Sequence, residues 1–114
     1  MNSFDVLLIG HLIGDFSLQT NWMAMNKTNS WLALATHATV YTFAVTIAAK
    51  LFDVNLSIWG VLLIFISHLI LDRRTVVKWW AEVVTGTTQQ DLKWLNIVHD
   101  QIFHLLILVT TLYI

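Results

Sequence analysis

Residues 56–80 read LSIWGVLLIFISHLILDRRTVVKWW, and this stretch decides the fold. From Leu56 to Leu71 the run is almost wholly apolar, and it closes on Asp72, three cations (Arg73, Arg74, Lys78) and the pair Trp79 and Trp80. A helix rises about 1.5 Å per residue and needs about 20 apolar residues to cross about 30 Å of hydrocarbon. Cations and tryptophans belong where such a helix meets the headgroups. The strictly apolar part is short, so the segment through Trp80 is expected to leave the membrane as one or two further amphipathic turns and to end before Gly86.

Three more stretches share this character, which gives four expected helices at about 4–25, 30–52, 56–80 and 92–114. Capping residues stand at each start: Asn2 and Ser3, then Thr28-Asn29-Ser30, then Asn55, then Asp91. No proline is present to kink a helix. The expected fold is all-α, a single domain over residues 1–114 forming an integral membrane four-helix bundle with antiparallel neighbours.

Composition agrees. Hydrophobic residues make up 57% and charged residues 11%, against about 25% charged in a soluble domain, and the mean hydropathy is +0.69. With no cysteine, disulfides, thiolate metal sites and thiol nucleophiles are excluded. A net charge of −1 offers no basic surface, so nucleic acid is not an expected partner. The N-terminus lacks a basic n-region and a small-residue cleavage site, so the first apolar run is read as a retained helix.

Orientation follows from the loops. Lys27, Arg73, Arg74, Lys78 and Lys93 fall on the side of the first and third loops, whereas the other side holds Lys50 with Asp5 and Asp53. The positive-inside rule puts loops one and three in the cytoplasm and both termini outside, an N-out, C-out arrangement. Trp22, Trp31, Trp79, Trp80 and Trp94 lie beside the same two loops, with Trp59 alone on the other face. Gly10 and Gly14, at GxxxG spacing, predict close approach of the first helix to a neighbour.

The informative residues are the polar ones at membrane depth, because an aspartate at a helix centre costs about 2.5 to 3.5 kcal/mol on insertion scales. His11, Asp15 and Gln19 recur every four residues on one stripe, and His68 and Asp72 repeat the spacing. Asp100 and His104 carry the pair in reverse order, as an antiparallel helix requires. Counting inward from the tryptophans puts Asp15, His37, Asp72 and Asp100 in one layer about 10 Å deep. His11, Tyr41, His68 and His104 then form a second layer about 16 Å deep.

Three aspartates gathered in a low dielectric cannot all stay ionised without compensation by protons or a metal. Histidine nitrogen with aspartate oxygen suits zinc first, with manganese or iron as alternatives. The expected metal ligands are His11, Asp15, His37, His68, Asp72, Asp100 and His104, enough for two ions. The bland alternative is that these groups only hydrogen-bond one another across helices, each contact contributing about 0.6 to 2 kcal/mol. His99 lies about 100° around its helix from Asp100 and is left outside the ligand set. Gln19 and Gln101, and more weakly Asn96, are placed to orient aspartates or substrate. Arg73, Arg74 and Lys78 are either topology determinants or a clamp for a substrate phosphate.

The run from Gly10 to Phe16 (GHLIGDF), followed by Leu18-Gln19-Thr20 and Lys27, resembles the opening motif of a family of short bacterial and phage membrane proteins defined only as a domain of unknown function. His37, the HxxxD of His68 to Asp72 and the DQxxH of Asp100, Gln101 and His104 extend the resemblance along nearly the whole chain. The pattern is more distantly similar to that of bacterial inner-membrane proteins regarded as membrane-bound metal-dependent hydrolases. The resemblance implies a multi-pass protein of the bacterial inner membrane.

The leading expectation is a metal-dependent hydrolase acting on a lipid or lipid-linked ester or phosphoester at the cytoplasmic leaflet. A bound ion would bring the pKa of water towards about 7 and so supply a nucleophile. Asp72, Asp100 and His37 would complete a second site or serve as acid and base, with Tyr41 donating a proton to the developing oxyanion. The second expectation is metal-ion or proton transport, for which so thin a bundle needs a homo-oligomer. The third is a haem-binding bundle using His11, His68 or His104 in pairs.

Overall fold

The computed structural model describes residues 2–114, which are helical with no strand among them. Six α-helices follow one another: α1 Ser3–Leu12, α2 Asn21–Asn26, α3 Trp31–Leu51, α4 Ile58–Asp72, α5 Thr75–Trp79 and α6 Lys93–Thr111. Two segments, Trp31–Leu51 and Gln90–Thr111, are long and apolar enough to cross a membrane, and Ile58–Asp72 is a shorter apolar helix.

Two of the expected continuous helices are broken, and both breaks matter for the site. Asn2 starts α1 with a reciprocal cap, its side chain accepting from the Asp5 N–H at 2.8 Å while the Asp5 carboxylate accepts from the Asn2 N–H at 3.4 Å. After Leu12 the chain widens into a π-helical turn, Ile13–Ser17, closed by the Leu18 N–H on the Ile13 carbonyl at 2.9 Å. The helix then stops, because the Thr20 hydroxyl caps a new start by accepting from the Met23 N–H. A single span over 4–25 is therefore replaced by α1, the π turn and α2.

The third expected helix breaks after Asp72, where Arg74 takes a left-handed conformation (φ 70°) before α5 begins. A second π-helical turn, Trp80–Thr85, carries α5 to Gly86, whose φ of 67° ends it before the loop. Caps fall partly where expected. Ser30 accepts from the Ala33 N–H at the start of α3. Ser57 caps α4 in place of Asn55, and Asp91 sits inside a 3₁₀ turn, Gln90–Leu92, ahead of α6.

Helices α1, α3, α4 and α6 close a ring, each packing against the next and α6 returning to α1. The glycine pair brings α1 onto α3. A Cβ on Gly10 would lie 2.9 Å from the Val45 Cα, and one on Gly14 would lie 3.1 Å from the Tyr41 Cα. Leu7, Tyr41, Val45, Ala49, Ile64 and Leu108 make an apolar core at one end of the ring. The other end is filled by polar side chains, while large apolar residues such as Leu32, Phe43, Ile47, Trp59, Ile66 and Leu106 face outward.

Candidate metal centre

Eight charged or titratable polar side chains are buried together: His11, Asp15, Lys27, His37, His68, Asp72, Asp100 and His104. Each arrives by a separate local reason. α1 presents His11, and the π turn that follows it presents Asp15. α3 brings His37 and Tyr41 inward one turn apart, α4 brings His68 and Asp72, and α6 brings Asp100 and His104. Lys27 reaches the interior because the chain breaks at Leu18–Thr20 and α2 turns it inward.

Asp72 is the hub. Its Oδ2 lies 2.8 Å from Lys27 Nζ, 2.9 Å from His37 Nε2 and 3.1 Å from His68 Nε2. Its Oδ1 lies 3.0 Å from His104 Nε2. His37 Nε2 also lies 3.1 Å from Asp15 Oδ1, to which His68 Nε2 comes within 3.8 Å. Four side chains, Asp15, His37, His68 and Asp72, can each offer one donor atom with all four atoms within 4.8 Å of one another. Asp72, Asp100 and His104 form a second such group.

Closeness here is not the same as hydrogen bonding. Lys27 does donate to Asp72 Oδ2, and His37 pairs with Asp15 Oδ1. By contrast His68 Nε2, His104 Nε2, Asp72 Oδ1 and Asp100 Oδ1 are buried with no hydrogen-bond partner. Polar atoms about 3 Å apart that do not point at each other waste a contact worth about 1 to 3 kcal/mol each when buried. Separations near 3 Å are those between neighbouring ligands around an ion: bonds of about 2.0 to 2.1 Å in a tetrahedron leave its corners about 3.3 Å apart.

The four rings expected in the deeper layer meet in a closed circuit. Tyr41 stacks on His68 with centroids 4.0 Å apart, His68 meets His104 at 4.9 Å, His104 meets His11 at 5.7 Å, and His11 meets Tyr41 at 5.4 Å. His11 nevertheless stands outside both donor groups. Its Nδ1 lies 2.6 Å from the Tyr41 hydroxyl and its Nε2 lies 2.7 Å from Gln101 Oε1. Gln101 Nε2 donates onward to Asp15 Oδ2 at 3.2 Å. With Oε1 accepting, His11 Nε2 carries the proton and Nδ1 accepts from Tyr41. Both ring nitrogens are engaged, so His11 orients Asp15 through Gln101 and offers no free donor to an ion.

The residues expected to contact substrate are dispersed. Gln101 lies inside the network just described. Arg73 stacks on Trp31, its guanidinium carbon 4.1 Å from the ring centroid. Arg74 and Lys78 line an open cleft of about 430 Å³ together with Lys93, Asn96 and Glu82. Gln19 is half-buried, its Oε1 without a partner. Asn96 ties down Thr87 through a pair of 3.2 Å hydrogen bonds, and His99 turns away to pack on Trp80.

Sequence reasoning missed Lys27 as a member of the cluster, counting it as a loop cation and as the last residue of the opening motif. One signal pointed to it: three aspartates demanded a compensating charge, and Lys27 is the first cation in the chain.

A family model described as a protein of unknown function (DUF3307) matches residues 4–114. No curated protein matches the chain, and no solved structure matches it.

Proposed function

The chain belongs to the DUF3307 family, whose function is unknown, and from its geometry we propose a membrane-embedded, metal-dependent hydrolase. The observation that carries this reading is the convergence of buried histidine and aspartate donors that lie about 3 Å apart without being aligned to hydrogen-bond. A divalent ion, zinc first and manganese or iron as alternatives, would account for that geometry by giving the buried donors a common partner. When bound, such an ion acidifies water towards a pKa of about 7 and supplies a nucleophile at neutral pH.

The membrane placement is part of the proposal: a four-helix bundle, N-out and C-out, in the bacterial inner membrane. Supporting it, many large apolar residues are exposed while a cluster of histidines, aspartates and a lysine is buried beside the apolar core, as a lipid-facing bundle would have it. The long axis of 43 Å is close to the about 40 to 45 Å of a bilayer with its headgroups. Trp22, Trp31, Trp59, Trp79 and Trp94 are all exposed, as headgroup anchors would be. Burial of Lys27 takes one cation from the cytoplasmic loops, and the bias survives on Arg73, Arg74, Lys78 and Lys93.

In the proposed reaction a lipid or lipid-linked ester or phosphoester enters from the cytoplasmic leaflet beside the Arg74, Lys78 and Lys93 cleft. Asp15, His37, His68 and Asp72 would hold the ion, with Lys27 giving up its hydrogen bond to Asp72 Oδ2. Tyr41, His11 and Gln101 hold Asp15 in one orientation by a directed chain of hydrogen bonds.

Transport in an oligomer is the weaker reading, because Leu7, Val45, Ile64 and Leu108 close the other half of the ring. The Thr42 and Thr110 hydroxyls there bond to carbonyls of their own helices. Haem is weaker still: histidine rings with centroids 4.7 to 5.7 Å apart leave no room for a macrocycle between them.

Metal analysis of protein purified without added ions, with Asp15→Ala and His68→Ala beside it, tests the reading. Stoichiometric metal in the wild type, lost in both variants together with hydrolysis of labelled phospholipids, is the expected result. Absence of metal from the wild type overturns the site, and ion flux into proteoliposomes without turnover moves the assignment to transport.

A further inference from the structure

We propose that the cluster is built for two ions, with Asp72 as the carboxylate that bridges them; this rests on the metal-binding reading above. The two donor groups share one residue, Asp72, and they use opposite oxygens of it. Oδ2 faces His37 and His68 at 2.9 and 3.1 Å, next to Asp15, whereas Oδ1 faces His104 at 3.0 Å, next to Asp100. A carboxylate that presents each oxygen to a different set of ligands is the geometry of a bridge.

The second group stands on its own observations. His104 Nδ1 donates to the Asp100 carbonyl at 2.7 Å, which in the neutral ring fixes the tautomer and leaves the Nε2 lone pair free for an ion. That lone pair lies 3.0 Å from Asp72 Oδ1, and neither atom has a hydrogen-bond partner. Two lone pairs at that distance repel each other unless a cation or a proton sits between them, and the ion count decides between the two. Asp100 Oδ1, on a side chain 2% exposed, is likewise buried without a hydrogen bond, with His104 Nδ1 3.6 Å away.

Lys27 marks the first position. Its ammonium donates to Asp72 Oδ2 at 2.8 Å from a side chain 8% exposed, so it supplies the positive charge on that side of the bridge. No lysine or arginine is paired with Oδ1, whose neighbour is His104 Nε2. Two divalent ions against Asp15, Asp72 and Asp100 leave a single net positive charge beside Lys27, which favours an anionic phosphoryl group over a neutral ester as the substrate.

The test is to load the full chain, in detergent, with manganese alone and to measure both the ion-to-protein ratio and the electron paramagnetic resonance spectrum. Two ions per chain with an exchange-coupled spectrum is the expected result. Asp100→Asn should then retain one ion and show the spectrum of an isolated ion, and His104→Gln provides the same reading if that variant does not fold. One ion per chain with an uncoupled spectrum in the wild type overturns the bridge while leaving the metal site standing. No bound ion overturns both, and a coupled pair persisting in Asp100→Asn and His104→Gln overturns the assignment of the second group.

Discussion

Lys27 and the proposed metal would compete for one oxygen atom, Asp72 Oδ2. A unit charge about 4 Å away interacts by about 4 kcal/mol at an effective dielectric of about 20, and part of that is spent whenever an ion displaces the ammonium from Asp72 Oδ2. Lys27→Met should therefore bind zinc at least about tenfold more tightly, about 1.4 kcal/mol, in a chelator-competition titration. Unchanged or weaker binding would show that Lys27 and the ion occupy separate places. Gln101→Leu strips the acceptor from His11 and a donor from Asp15. Leaving those buried groups unpaired should cost about 1 to 3 kcal/mol each, read as a lower unfolding temperature in detergent. The histidines and aspartates were legible in the sequence because a buried charge in an apolar helix is costly and so conspicuous. Their division of labour was not: His11 and His68 have the same local pattern, and only the partners across the bundle separate an orienting ring from one with a free nitrogen.

At the scale of elements, the decisive features are the approach of α1 to α3 and the junction of α4 with α5. Gly10→Ala sets a methyl against the Val45 backbone at 2.9 Å, and the strain of overpacking should destabilise the chain by about 1 to 3 kcal/mol. Because α1 carries His11, the same shift should loosen the 2.6 Å contact to Tyr41, measurable as a change in the imidazole resonances. Arg74 takes a left-handed backbone that costs a non-glycine residue about 1 to 2 kcal/mol. Arg74→Gly should raise the unfolding free energy by about 1 kcal/mol, and a loss of stability would mean that the guanidinium makes a compensating contact. Hydrophobic length located the apolar helices Trp31–Leu51, Ile58–Asp72 and Gln90–Thr111, and the close packing of the glycine pair was readable from its spacing. The breaks at Leu18–Thr20 and Arg73–Arg74 were not, since no proline marks them and a threonine cap or a left-handed arginine leaves no trace in hydropathy.

For the whole molecule, the testable property is which end faces which compartment. The chain has no cysteine, so single cysteines report topology without background. In the proposed arrangement, with both termini outside, a membrane-impermeant maleimide applied to intact cells should label Asn55→Cys and spare Thr88→Cys until the membrane is opened. The reverse pattern would invert the orientation and move the proposed chemistry to the other leaflet. All-helical architecture was legible from composition and run length. The apolar closure by Leu7, Val45, Ile64 and Leu108 was partly so, because the sequence places little charge in that half.

The π turn at Ile13–Ser17 acts as a frameshift written in backbone geometry. One surplus residue in a helix rotates everything after it by about 100°, which is why Gln19, in phase with His11 and Asp15 on paper, does not join them. Deleting Ser17 would restore ordinary α-helical phase while leaving hydropathy almost untouched. His11 and Asp15 would keep their places, but the chain beyond would leave its present course, and Lys27 would swing away from Asp72. A single missing codon would thus take away the internal counter-charge of the cluster while sparing every histidine and aspartate in it.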